Sequence, residues 1–337
     1  MKKTLGFVLL LLTLSCANTK RSDSKPTANA TTYLKTITES ELKTHVFTIA
    51  ADSMEGRQTG SVGQKRAGKY LVSQYQKNKI THPESLTDFY QNIPSSFLKT
   101  RSGEQLNDSE NICAFIKGTE KPDEVIIISA HYDHIGQRKE SIFNGADDNA
   151  SGTASLLEIA QAFQIAKNEG HGPKRSLLFL HVTGEEHGLL GSKYYSENPI
   201  FPLKNTVSDI NIDMIGRRDK EHSLTNNYVY VIGADRLSTD LHNIVVAANE
   251  KYTQLDLDLK FNDPKDPNHY YERSDHYNFA KKGIPSVFFF NGVHADYHRA
   301  TDTPDKIEFD ALVKRAQLAF VVAWELANRE NRITVDK

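Results

Sequence analysis

Val125-Ile-Ile-Ile-Ser-Ala-His-Tyr-Asp-His134 changes character partway along its length. Val125 to Ser129 is a continuous apolar run, as expected of a strand covered on both faces. It runs through Ala130 into His131-Tyr132-Asp133-His134. The same switch recurs. Ser176–Val182 runs into Thr183-Gly184-Glu185-Glu186-His187, Asp209–Ile212 into Asp213, and Pro285–Phe290 leads through a loop to His294-Ala295-Asp296-Tyr297-His298. Between the first two runs lies a helical segment, Ala150 to Lys167, with Leu156, Leu157, Ala160 and Phe163 on one face. Apolar strands alternating with helices predict an α/β fold with three layers, α/β/α, around a mostly parallel mixed central sheet.

Further out, the same alternation continues. Thr38-Glu39-Ser40-Glu41 fits a capping box, followed by Leu42, Val46 and Ile49 at helical spacing. Ser61-Val62-Gly63-Gln64 opens a second helix reaching about Lys79. Gly188–Asn198, Arg236–Glu250 and Ser274–Lys282 read as helices, and Tyr228–Ile232 and Leu255–Phe261 as strands. Glu308–Arg329 is a closing amphipathic helix. No internal repeat or long linker interrupts residues 36–333, which form a single catalytic domain in this reading.

Composition narrows the chemistry. Lys+Arg is 41 against 43 Asp+Glu, a net charge of −2, so no basic excess points to nucleic acid. Cys16 and Cys113 are the two cysteines, too few for a disulfide scaffold or a thiolate zinc site. Cys113 lies in the strand-like Asn111–Lys117 and reads as a buried, inert thiol. Histidines and carboxylates are the abundant metal donors.

The first residues read as an address. Lys2 and Lys3 precede an apolar run, Leu5 to Leu14, too short to span a bilayer but suited to a secretory signal. Leu14-Ser15-Cys16 resembles the lipobox of bacterial lipoproteins, in which the cysteine is lipidated and becomes the new N-terminus. Residues 1–15 are then a signal peptide and 16–35 a flexible tether. The protein is exported to the cell envelope, periplasmic or outer face, with membrane contact only through a lipid on Cys16.

In open α/β sheets, ligands bind in the crevice at the carboxyl ends of the strands. The polar residues listed above converge there, joined by Gly145-Ala146-Asp147-Asp148-Asn149-Ala150-Ser151-Gly152. Singly, each has a plain explanation: a surface histidine, a helix cap, a solvated acidic loop. Jointly, convergent carboxylates repel unless a cation neutralises them. His mixed with Asp and Glu suits zinc, with cobalt or manganese as substitutes. The chain has no His-Glu-x-x-His helix, no Gly-x-Ser-x-Gly elbow, and neither a Gly-x-Gly-x-x-Gly nor a Walker loop.

From Ser53 to Lys306 the chain resembles the zinc aminopeptidase family that includes bacterial leucyl aminopeptidases, glutamate carboxypeptidases and, more distantly, glutaminyl cyclases. The motifs are Met54-Glu55-Gly56-Arg57, Ser129-Ala-His-Tyr-Asp-His134, Asn144-Gly-Ala-Asp-Asp-Asn-Ala-Ser-Gly152, Gly184-Glu-Glu-His-Gly-Leu-Leu-Gly-Ser192, Asn211-Ile-Asp-Met-Ile-Gly216, Arg273-Ser-Asp-His276 and Tyr297-His-Arg-Ala-Thr-Asp-Thr303. The resemblance implies two zinc ions per chain and peptide substrates. It makes His131 and Asp213 ligands of one ion, Glu186 and His298 ligands of the other, and Asp148, not Asp147, the bridge. Asp133 would orient the His131 ring, and Glu185 would be the general base. His298 is selected over His294 by its spacing to Asp302-Thr303. His134, His187 and His276 receive no metal role, and Asp275 is a weak candidate for holding the substrate amine. Only about twenty residues separate Gln91 from Asn111, so the protease-associated insertion of larger members is expected to be absent. The implied activity is an aminopeptidase; the alternatives are a glutaminyl cyclase using one zinc, and a catalytically inactive binding module on the same fold.

Overall fold

A computed structural model of the chain describes residues 29–337. The residues read as signal peptide, Cys16 and most of those read as tether lie outside the described residues. The helices are α1 (Ala30–Leu34), α2 (Glu39–Ile49), α3 (Val62–Lys77), α4 (Gly152–Asn168), α5 (Leu190–Glu197), α6 (Thr239–Ala248), α7 (His276–Ala280) and α8 (Phe309–Asn328). The strands are β1 (Tyr90–Ile93), β2 (Ser109–Ile116), β3 (Lys121–His131), β4 (Gly136–Arg138), β5 (Ser141–Phe143), β6 (Arg175–Val182), β7 (Thr206–Ile212), β8 (Tyr228–Ile232), β9 (Asp256–Asp258) and β10 (Ser286–Phe290). Helix starts follow the sequence: the side chains of Thr38 and Ser61 accept from the backbone N–H of Glu41 and Gln64, capping α2 and α3.

Eight strands form one sheet in the order β1-β2-β6-β3-β7-β10-β8-β9. The four central strands, β6, β3, β7 and β10, run parallel, while β1, β2 and the β10–β8 pair are antiparallel. The sheet is therefore mixed, with its parallel part in the middle. A separate hairpin, β4–β5, stands above the end of β3; its Gly136-Gln137-Arg138 carries no apolar alternation, and the sequence reading passed over it.

The apolar run of β3 divides by side. Ile126, Ile128 and Ala130 join a large core with α1–α4, α6 and α8, whereas Val125 and Ile127 join a smaller one under α5 and α7. β6 alternates likewise, Leu177 and Phe179 against Leu178, Leu180 and Val182. This is the two-faced burial that an unbroken apolar run implies. Cys113 is fully buried in β2 with Val125 and Leu180, and burial pushes its thiol pKa up.

Of the residues read as tether, Ala30–Leu34 form α1. Tyr33 of α1 is buried, stacks on Trp324 at 5.5 Å between ring centroids, and lies 2.8 Å from Glu169 through its hydroxyl. These contacts reward folding of residues that composition alone marks as linker. The expected strand Leu255–Phe261 shortens to β9, at the sheet edge, and then turns into a short helical turn, Lys260–Asn262. Between β1 and β2 the chain needs only residues 94–108. No helix among the described residues is long and apolar enough to cross a membrane.

Candidate metal centre

The centre is built at the carboxyl ends of the four parallel strands. His131 ends β3, Asp213 follows β7, Glu185 and Glu186 follow β6, and Asp148 immediately precedes α4. His298 comes from the loop after β10, in left-handed backbone (φ 56°).

Two buried arginines hold these loops. Arg57 donates from Nε to the Tyr132 carbonyl (2.9 Å), from Nη1 to those of Ile49 (2.9 Å) and Asn144 (2.6 Å), and from Nη2 to that of Gly145 (2.9 Å). It thereby ties the turn bearing His131 to the turn bearing Asp148. Arg315 of α8 donates to the carbonyls of Tyr228 (2.7 Å) and Ile215 (2.9 Å), fixing the turn that follows Asp213.

Asp148 stands between two donor sets. On one side, His131 Nε2 lies 3.3 Å from Asp148 Oδ1 and 3.2 Å from Asp213 Oδ1. On the other, His298 Nε2 lies 3.1 Å from both Asp148 Oδ2 and Glu186 Oε2. The five residues expected to ligate metal are thus brought together around one shared carboxylate. The second set has a further member: His134 Nδ1 lies 2.7 Å from Glu186 Oε1 and 3.9 Å from Asp148 Oδ2. Its placement depends on the chain turning back after Asp133, and the sequence carries no local signal for it.

Asp147 points elsewhere. Its Oδ1 accepts from the Gly216 N–H (2.6 Å) and its Oδ2 lies 3.1 Å from His294 Nε2. The pair Asp147–His294 thus braces the turn and lies apart from the two donor sets around Asp148. Asp302 joins the same brace, its carboxylate accepting from the backbone N–H of Asp147 and Asp148 at 3.1 Å.

Asp133 sits beside His131 as expected, but its carbonyl makes the contact. His131 Nδ1 is 3.2 Å from Asp133 O and 3.8 Å from its carboxylate. That carboxylate accepts from Thr59 (2.9 Å) and from the backbone N–H of Glu185 (3.2 Å), so it also positions the segment bearing the two glutamates. On the other wall, Ser274 donates to Asp213 Oδ2 at 2.7 Å and accepts from Asn211 at 2.7 Å.

Asp275 does not reach the centre's solvent. It is fully buried and accepts from Ser192 at 2.5 Å, with burial raising its pKa to about 7. It is therefore unavailable to a substrate amine. His276 is buried against the Phe288 ring, 5.0 Å between centroids, and burial lowers its pKa to about 3, leaving it neutral.

The donor chemistry fits a cation. His134 Nδ1 and Glu186 Oε1 are buried and without hydrogen-bond partners despite lying 2.7 Å apart, because their angle is not that of a hydrogen bond. Without metal, the imidazoles serve as the counter-charges. Burial disfavours the charged His131, yet Asp213 and Asp148 outweigh it and raise its pKa well above the ordinary value. Burial and Asp148 push Glu186 up, but His134 and His298 prevail and lower it to about 2. Nitrogen and oxygen donors without a thiolate, two histidines and three carboxylates at the least, are a zinc-type set. Glu185 belongs to neither set; burial raises its pKa well above the ordinary value.

Two cavities flank the Tyr297–His298 segment. One is a narrow cleft of about 30 Å³ that reaches Asp148, Glu185 and Asp213 and is lined by Met214, Phe288 and Phe290 together with Arg273 and Tyr297. The other, of about 540 Å³, is more open and reaches His298 from outside.

The description Peptidase family M28 matches residues 111–323. A probable leucine aminopeptidase from Arthroderma otae is 30% identical over 223 residues, covering 64% of this chain and 57% of that protein. The chain thus spans little more than half the length of the curated relatives it matches. Among solved structures, a zinc aminopeptidase from Bacillus subtilis superposes with a TM-score of 0.65 at 17% identity, over 87% of this chain and 96% of that one. A glutaminyl cyclase from Porphyromonas gingivalis gives a TM-score of 0.65 at 19% identity, over 85% and 97%. At such identities the structural likeness concerns the fold, and it is shared by a peptidase and a cyclase alike.

Proposed function

The chain belongs to peptidase family M28, and from that membership we propose that it is an exported zinc aminopeptidase, removing N-terminal residues from peptides. One observation carries the reading: a single carboxylate, Asp148, is shared by two donor sets at the inner end of a narrow cleft lined by Glu185, Asp213, Arg273, Met214, Phe288 and Phe290. An enzyme that acts at a chain end needs a confined space on one side of its reacting bond and an open outlet on the other.

His131, Asp148 and Asp213 would hold one zinc ion; Asp148, Glu186 and His298 would hold a second, with His134 as an added donor. Bound zinc supplies Lewis acidity, polarising a carbonyl and lowering the pKa of water. Glu185 lines the pocket outside both donor sets, free to take a proton from the attacking water and return it to the leaving amine. Asp133 fixes the Glu185 backbone, and Ser274 fixes the Asp213 carboxylate. The narrow cleft would orient the bond toward Glu185. Export rests on Lys2–Leu14, and attachment to the membrane on Cys16.

The test pairs metal analysis with a substrate panel. The zinc-loaded protein should hold two ions and cleave aminoacyl-arylamides, and chelation should abolish cleavage. One zinc with cyclisation of glutamine-initiated peptides would replace this reading with the cyclase one. Full metal content without turnover of either class would favour an inactive binding module.

A further inference from the structure

The outer cavity is lined by Arg138, Phe143, Tyr297, His298, Arg299 and Thr301, and it contains two arginines and no carboxylate. Among the described residues neither Arg138 nor Arg299 has an ion-pair or side-chain hydrogen-bond partner. The neighbouring acid Asp296 is already taken, by Lys306 at 2.7 Å and Arg217 at 3.1 Å. Arg138 is also positioned. Its guanidinium carbon stands 5.3 Å from the centre of the Phe143 ring across the β4–β5 hairpin. The hairpin sits tightly on the turn before α3: a Cβ at Gly56 would fall 2.4 Å from the Gly136 carbonyl, and one at Gly136 would fall 2.6 Å from Gln58 Cβ. Two exposed guanidinium groups without a protein partner stand at the outlet, one of them held over a ring by a docked hairpin, and a guanidinium fork matches the paired oxygens of a carboxylate.

We propose that Arg138 and Arg299 bind a carboxylate carried by the residue that follows the scissile bond. This deepens the peptidase reading above and rests on it. With the N-terminal residue in the inner pocket, the next residue leaves past His298 into the outer cavity. The carboxylate comes from one of two sources, an Asp or Glu side chain or the free C-terminus of a dipeptide. Both present the same planar pair of oxygens to the guanidinium forks.

The experiment uses the zinc-loaded full chain and reads kcat/KM. One arm compares Leu-Asp-amide with Leu-Asn-amide, the other Leu-Ala with Leu-Ala-amide; leucine arylamide, which lacks a carboxylate, reports peptidase activity by itself. The expected result is a preference of about 5-fold or more for the carboxylate in at least one arm, as two solvent-facing charge pairs can provide. That preference should shrink when salt is raised from about 0.05 to about 0.5 M. It should fall toward unity in Arg138→Ala and Arg299→Ala and be partly kept in Arg138→Lys. A wild type that cleaves the arylamide but shows no preference in either arm overturns this inference and leaves the peptidase reading standing. So does a preference that survives in the double alanine variant. A wild type that cleaves neither arylamide nor peptide overturns both.

Discussion

Arg57 tests how the centre is held together. Its guanidinium is fully buried and donates four hydrogen bonds of 2.6–2.9 Å to carbonyls on three separate segments. Charge-assisted bonds contribute about 1.5–3 kcal/mol each, so four give roughly 6–12 kcal/mol. Removing the guanidinium from water costs several kcal/mol, an effect also visible in burial lowering its pKa to about 10. Bonds that share one guanidinium are not additive, and removing one partner of a buried charged contact usually costs about 3–5 kcal/mol, which is the loss expected here. Arg57→Met keeps the length of the stem but leaves four carbonyls facing carbon. Arg57→Lys keeps the charge, yet one ammonium with three donors cannot reach all four carbonyls. In urea unfolding with an unchanged m-value, the Met variant should lose about 3–5 kcal/mol and the Lys variant about half of that. Arg57 also places a positive charge near Asp133, Asp148, Asp302 and Glu186. The Met variant should therefore fold with reduced zinc content, measured by elemental analysis. Stability within about 1 kcal/mol of wild type, with full metal content, would refute the argument.

Three other perturbations follow from the site. Glu185→Gln should fold, keep its zinc and lose turnover by about 10²–10⁴-fold, whereas Glu186→Gln should lose metal and regain activity with added zinc; equal metal loss in both would mean the pair is misassigned. His134→Ala should weaken one of two zinc affinities about 10-fold or more in chelator competition and leave the other unchanged, while Asp148→Ala should weaken both; an unaltered titration in His134→Ala removes that residue from the donor set. Cys16→Ala should move the protein from the membrane fraction to the soluble fraction with activity intact, and a wild type without lipid mass sinks the anchor.

The sheet was legible because Val125–Ser129 and its counterparts are apolar on both faces, a pattern set by burial and independent of distant partners. His131, Glu186 and Asp213 stand out because each ends such a run; Asp148 and His298 were singled out by motifs that resemble a known family. What was lost depends on how the chain turns afterwards. The hairpin at residues 136–143 has no strand periodicity and is held by the close approach of Gly56 to it. His134 meets Glu186 only because the turn after Asp133 folds back. Asp275 reads as a free acid beside the centre, yet the packing of α5 against α7 seals it under Ser192. Helix α1 was not legible because Tyr33 packs on Trp324, nearly three hundred residues away, and no local composition records that contact.

The spread of the donors along the chain has a further meaning. His131, Asp148, Glu186, Asp213 and His298 lie at three strand ends and in two loops, and they meet only when the parallel centre of the sheet has closed. A fragment or partly folded chain offers at best the adjacent His131 and His134. Because an ion that binds only the assembled arrangement stabilises that state alone, zinc acts as an inspector of tertiary structure. On the proposed reading, a chain that has not yet folded holds no complete metal site, and it gains one in the same event that assembles its tertiary structure.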